Sequence, residues 1–138
     1  MKSFGNSSKV LVKFSRDRIE TKEEKRSLAI VDDNRDICVT ISKLVEHLGF
    51  NKSIIAHDGK EIVREVVCNG RSPAVILMDY RLPLMNGLEA AERISQVRPD
   101  IKIILATSDE SVKSKAESAG FGFLKKPFSL EALVRAIH

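Results

Sequence analysis

Five short, nearly continuous apolar runs recur along the chain, and each is followed by a stretch whose apolar residues fall at helical intervals. The runs are Ser27-Val31, Lys52-Ala56, Ala74-Met78, Lys102-Ala106 and Gly122-Lys125. Their starts are 25, 22, 28 and 20 residues apart, room for one helix each time. A strand reads as continuously rather than alternately apolar when helices cover both of its faces. The spacing therefore predicts β-α units wound around a parallel sheet.

Punctuation places the helices. Ile37, Ile41, Leu44, Val45 and Leu48 share one helical face, and Gly49 stops that element. Asp58-Gly-Lys-Glu61 has the form of a capping box ahead of Ile62, Val63, Val66 and Val67, with Asn69-Gly70 as the exit. A third helix spans Gly87 to Val97 and ends before Pro99, and Ser129 is placed to cap a last one carrying Leu130, Leu133, Val134 and Ile137. The helix between them, about Glu110 to Ala119, has only Val112, Ala116 and Ala119 as apolar anchors, so it should be held weakly and move at modest cost.

The 138 residues suffice for one ordinary domain, and the 43% apolar fraction is too high for general disorder. The longest apolar run, Ala74 to Met78, is far below the roughly 18 residues of a membrane span, so no insertion is expected. Cys38 and Cys68 form neither a C-x-x-C nor a set with nearby His; both are expected to be small buried hydrophobes in a reducing cytoplasm. The net charge of +4 first suggests nucleic acid, but its distribution does not. Of 23 bases and 19 acids, residues 1–27 hold eight and four, leaving 15 of each in the body. Residues 1–26 are thus a basic N-terminal extension, either disordered or supplying an added strand at Val10-Phe14, and residues 27–138 are a neutral body with no expected nucleic-acid binding of its own.

Polar residues stand where predicted strands end: Asp32 and Asp33 after the first, Asp79 after the third, Thr107 after the fourth, Lys126 after the fifth. Ligands of open parallel sheets bind outside the carboxyl ends of the strands, where strand order reverses. In a doubly wound (βα)5 sandwich of flavodoxin-like strand order 2-1-3-4-5, all five residues line one crevice. Converging carboxylates repel, and Lys126 offsets only one of three charges. A hard divalent cation such as Mg²⁺ is the natural complement, with Asp33 and Asp79 as direct ligands and Asp32 acting through water. An acid, a metal, a hydroxyl and an ammonium, with no His or Cys base in reach, suit phosphoryl transfer to a carboxylate nucleophile, for which Asp79 is the candidate. Taken singly, Asp33 serves equally as a helix cap, Asp79 as a loop acid, Thr107 as a turn residue and Lys126 as half of a solvated pair.

The segments Leu28-Ala-Ile-Val-Asp-Asp33, Val75-Ile-Leu-Met-Asp-Tyr-Arg-Leu-Pro-Leu-Met-Asn-Gly87, Ile103-Ile-Leu-Ala-Thr-Ser108 and Gly122-Phe-Leu-Lys-Lys-Pro-Phe128 resemble, in order and spacing, the receiver domains of two-component response regulators. The resemblance covers about residues 27–138. It implies that Asp79 accepts a phosphoryl group from a phosphohistidine on a sensor histidine kinase or phosphotransfer protein. Asp33, Asp79 and the backbone carbonyl of Arg81 would hold Mg²⁺ with help from Asp32. Thr107 and Lys126 would stabilise the phosphoryl oxygens, with a cis peptide at Lys126-Pro127. Thr107 and Phe123 match the switch pair, so the surface of the fourth helix, fifth strand and fifth helix would change toward a downstream protein target, with homodimerisation on phosphorylation a further option. Phe123 lacks the hydroxyl that a Tyr would carry there, and Asn86 replaces a frequent Asp. Arg81 and Asp109 should flank the phosphoryl entrance, where pairing between them would slow water attack.

Because the last helix runs to His138, output through protein contact is expected, with a piece of a longer regulator as the alternative. A phosphorylation-independent interaction module is a second reading. A hydrolase using an aspartyl phosphate needs a second acid two residues after the nucleophile, where Arg81 stands, and no nucleotide-binding glycine loop follows a strand.

Overall fold

Among the described residues, backbone pairing begins where the sequence turns aliphatic. The computed structural model describes residues 26–138; the expectations for the N-terminal extension lie outside these except at Arg26. Five strands, β1 (Ser27–Val31), β2 (Asn51–Ala56), β3 (Val75–Asp79), β4 (Lys102–Thr107) and β5 (Gly122–Lys125), form one parallel sheet in the order β2-β1-β3-β4-β5. The helices are α1 (Arg35–His47), α2 (Gly59–Val63), α3 (Gly87–Val97), α4 (Ser111–Ser118) and α5 (Leu130–Ile137). Beyond Val63, α2 widens into a π turn over Arg64–Cys68, closed by the Asn69 N–H on the Arg64 carbonyl at 2.9 Å.

The period of two along each strand sorts its residues into two cores. Ala29, Val31, Ile76, Met78, Ile103 and Leu105 pack with Ile62, Val66, Ala90, Ala91, Ile94 and Ala116, so α2, α3 and α4 cover one face. Leu28, Ile30, Val75, Leu77, Ile104 and Ala106 pack with Cys38, Ile41, Val45, Leu133 and Ile137, so α1 and α5 cover the other. Three layers result, as expected. Each fully buried Leu, Ile or Val contributes about 1.5–3 kcal/mol, which makes the central strands β1 and β3 the firmest part of the sheet.

Local signals behave mostly as read. Ser129 caps α5 by accepting from the Ala132 N–H at 3.0 Å, and Gly49 takes the left-handed φ of 92° that ends α1. Two readings are corrected. The side chain capping α1 belongs to Asn34, which accepts from the Asp36 and Ile37 N–H groups, and Asp33 is thereby freed from that role. Of the cysteines only Cys38 is buried; Cys68 is exposed because it lies two residues after the buried Val66, which puts it on the opposite side of the helix. The weak anchoring of α4 is more pronounced than expected, since Val112 and Ala116 are buried while Ala119 is exposed.

One irregularity matters later. Leu28 pairs with Lys52 but Ala29 pairs with Ile54, leaving Ser53 unmatched in β2. Its carbonyl accepts from the Arg71 guanidinium.

Candidate functional site

Strand order brings the carboxyl ends of β1 and β3 side by side at the centre of the sheet, with β4 and β5 following. Asp32 continues the β1 backbone by donating its N–H to the Ala56 carbonyl at 3.0 Å. Asp79 is the last residue of β3 and Thr107 the last of β4. Asp79 and Thr107 are thus strand residues, their strands running one residue past the apolar runs. Lys126 follows β5, pairs its N–H with the Thr107 carbonyl at 3.0 Å and precedes Pro127 through a cis peptide bond, as the resemblance implies.

Carboxylate oxygens of Asp32, Asp33 and Asp79 come within 4.8 Å of one another. Asp32 is buried, Asp79 half-buried and Asp33 exposed, so the cluster opens to solvent along Asp33. Both oxygens of Asp32 are engaged, Oδ1 by the Asn34 N–H at 2.9 Å and Oδ2 by Lys126 Nζ at 3.3 Å. Asp79 Oδ1 lies 3.5 Å from the same ammonium and 3.4 Å from the Arg81 N–H. Burial holds the Asp79 carboxyl above the usual carboxylate range, and Asp32 pushes the same way against the pull of Lys126.

These residues fit a small hard cation: three acids that, among the described residues, only Lys126 offsets, all oxygen donors, and one open side. With both Asp32 oxygens engaged, Asp33 and Asp79 are the freer carboxylates. The Arg81 backbone lies beside Asp79, as its N–H contact shows.

Thr107 is buried, and its Oγ1 accepts from the Asp109 N–H at 3.2 Å. Phe123 stands opposite Leu105 in the β4-β5 ladder, on the face of β4 that also carries Thr107, and is half-buried. Arg81 and Asp109 meet across the mouth of the site, Nη2 to Oδ2 at 3.6 Å. The Ser111 hydroxyl and N–H hold the Asp109 carboxyl below its ordinary range. At the α4 and β5 edge, Lys125 pairs with Glu110 at 2.5 Å and lowers that carboxyl likewise. Seven of the eight predicted site residues therefore lie at the carboxyl end of the sheet, and Phe123 stands further in, level with Leu105 two residues before Thr107.

The reading from sequence left out the end of β2. His57 follows Ala56 there, and its ring lies 3.0 Å from the Asp32 carbonyl. Position after a strand was the signal, and the order 2-1-3-4-5 makes β2 the direct neighbour of β1.

The family model of the response regulator receiver domain matches residues 28–138. The chain belongs to the response regulator receiver family. Over 119 residues this receiver is 31% identical to two-component response regulator 24 of Arabidopsis thaliana, covering 84% of each chain. It is 29% identical over 110 residues to response regulator MprA of Mycobacterium ulcerans, covering 78% of the receiver but 46% of MprA, so it spans about half the length of that relative. Among solved structures, the receiver domain of sensor histidine kinase PA1611 from Pseudomonas aeruginosa PAO1 superposes with a TM-score of 0.70 at 27% identity, over 81% of this chain and 93% of that one. That structure holds a magnesium ion coordinated in its active-site cleft. The receiver is accordingly a two-component signalling module of CheY-like fold, and among the described residues no helix is long and apolar enough to cross a membrane.

Proposed function

We infer that this receiver takes a phosphoryl group onto Asp79 from a phosphohistidine and relays the change to a protein partner. The observation that carries the reading is the position of Asp79: its carboxylate shares the Lys126 ammonium with the buried Asp32 and stands within 4.8 Å of the Asp32 and Asp33 carboxylates at the open end of the sheet. A carboxylate oxygen of Asp79 bonds to phosphorus as the N–P bond of the donor imidazole breaks. The electron pair stays on the ring nitrogen, which takes up a proton.

Lys126, held by Asp32 and Asp79 together, faces the charge that develops on the phosphoryl oxygens. The Thr107 hydroxyl donates to one of those oxygens once it turns from the Asp109 N–H. Its departure leaves room for Phe123, on the same face, to swing inward and for α4 to shift, since only two buried residues anchor that helix. Asp33, Asp79 and the Arg81 carbonyl, with Asp32 behind them, would hold Mg²⁺, which when bound screens the phosphoryl oxygens from the acids.

An apolar groove of about 520 Å³ runs beside the site between α1 and the segment after β5, lined by Ile37, Ile41, Leu44, Pro127 and Phe128. It gives a donor such as a histidine kinase or phosphotransfer protein a surface to seat against. Output passes through the α4, β5 and α5 surface to a downstream protein target in the cytoplasm, by direct contact or through a homodimer, without nucleic-acid binding by the receiver body. Residues 27–138 constitute the functional unit and residues 1–26 an accessory extension.

Incubation with Mg²⁺ and a small phosphodonor, followed by intact mass measurement, tests the reading. One added phosphoryl group should appear in the native chain and not in Asp79→Asn. No addition to the native chain, or equal addition to the variant, overturns it.

A further inference from the structure

His57 contacts the acid cluster from a direction that phosphoryl transfer does not use. Its Nδ1 lies 3.0 Å from the Asp32 carbonyl oxygen, and its Nε2 lies 3.0 Å from Arg35 Nη1. A carbonyl only accepts, so Nδ1 carries the hydrogen; a guanidinium only donates, so Nε2 is bare. One neutral tautomer satisfies both of these contacts and the other satisfies neither. The Cys38 sulfur also lies 3.9 Å from Nδ1, and with its own hydrogen given to the Asp32 carbonyl it accepts from the same Nδ1–H.

The main chain that carries the ring is itself held through its backbone N–H. The His57 N–H donates to Glu61 Oε1 at 2.8 Å, and the Glu61 N–H donates to Asp58 Oδ1 at 2.7 Å, which ties the end of β2 to the first turn of α2. The Asp32 carbonyl also receives the Cys38 thiol at 3.3 Å. Burial raises the pKa of that thiol, so it stays protonated and able to donate. The main chain of Asp32 is thus gripped from β2 and from α1, while its carboxylate faces Asn34 and Lys126.

We propose that His57, as the Nδ1–H tautomer, is a positioning residue for cation binding: by holding the Asp32 carbonyl it fixes the depth at which the Asp32 carboxylate meets the cluster. The proposal rests on the reading of Asp32, Asp33 and Asp79 as the cation-binding acids. Groups of this kind, which orient ligands without touching the ion, typically change metal affinity by about 10- to 100-fold when removed.

The test uses the full chain labelled with ¹⁵N-histidine. Without Mg²⁺, the ring nitrogens of His57 should report a protonated Nδ1 and a bare Nε2. Mg²⁺ alone is then titrated into four proteins whose folding is checked by thermal melting. His57→Ala and His57→Gln should bind about tenfold more weakly than the native chain. His57→Asn, whose amide nitrogen reaches the place of Nδ1 and can donate, should bind within about twofold of it. An Nε2–H tautomer overturns the proposal, as does full affinity in the Gln variant or a tenfold loss in the Asn variant; this pair decides the matter even if the Ala variant fails to fold. Mg²⁺ binding with no phosphoryl uptake overturns the proposed function and leaves the positioning role intact, whereas no Mg²⁺ binding by the native chain overturns both.

Discussion

Lys126 Nζ lies 3.5 Å from Asp79 Oδ1, and the same ammonium lies 3.3 Å from Asp32 Oδ2. With its side chain largely shielded, this one cation is the only base in ion-pair contact with the acid cluster among the described residues. Charge that builds on a transferring phosphoryl group in such a site is stabilised by a donor already in place. Lys126→Met should slow uptake from a small phosphodonor by about 100-fold or more while the protein remains folded. An unchanged initial rate would remove Lys126 from the chemistry.

Crowding of the acids should be visible in stability. Burial, with Asp32 adding to it, raises the Asp79 carboxyl above its ordinary value of 3.8. The folded state then holds the proton more tightly than the unfolded state. Its contribution is fully present below the unfolded value and is lost as pH rises through the folded one. At pH 7 without Mg²⁺, Asp79→Asn should therefore unfold at higher denaturant than the native chain, and the gap should close as pH falls below 3.8. A variant no more stable at pH 7 would contradict the sign.

Gly87 opens α3 directly against the Asp79 main chain. A Cβ built there would sit 2.5 Å from the Asp79 carbonyl oxygen and 2.9 Å from the Tyr80 Cα, and backbone cannot yield as a side-chain tip can. Gly87→Ala should cost about 1–3 kcal/mol, the usual range for overpacking. Because the group displaced is the Asp79 main chain, phosphoryl uptake should slow as well. Denaturant titration and phosphodonor kinetics on the same sample check both, and native values for both would show that the loop yields.

Arg81 and Asp109 pair at 3.6 Å with most of the Arg81 side chain in solvent. Exposed pairs contribute little to stability, about 0–1 kcal/mol, so the effect of breaking this one should be sought in chemistry. Arg81→Ala should leave the unfolding midpoint nearly unchanged and shorten the lifetime of phosphorylated Asp79, followed by intact mass after removal of the donor. An unaltered lifetime ends the idea that the pair shields the acyl phosphate from water.

The sheet was legible because its inner strands β1, β3 and β4 are buried on both faces and the edge strands β2 and β5 still carry short aliphatic cores, so apolar runs marked all five to within a residue at either end. Asp79 and Thr107 were read as lying just beyond their strands because polarity marks the end of an apolar run, while the hydrogen-bond ladder continues one residue further. The cap of α1 was not legible. Asp33 and Asn34 are both good caps, and only geometry shows that Asn34 takes the role. Likewise Asp58 caps α2 as read, but Glu61 reaches back to the N–H of His57 rather than to that of Asp58. The acids, Thr107 and Lys126 could be found because several scarce residue types recur at one structural position. His57 is a single residue just after an edge strand, and its ring contacts depend on a register that no local pattern announces.

That register has an origin in Ser53. In an uninterrupted ladder Ser53 would face Ala29, Ala56 would come alongside Asp32, and the imidazole would overshoot the carbonyl by one residue, about 3.3 Å. Skipping Ser53 puts Ala56 opposite Val31 and His57 beside Asp32. A chain lacking Ser53 would reach the same alignment with no irregularity at all. The unmatched serine is thus a phase correction, by which an extra residue near the start of β2 is absorbed before it reaches the chemistry.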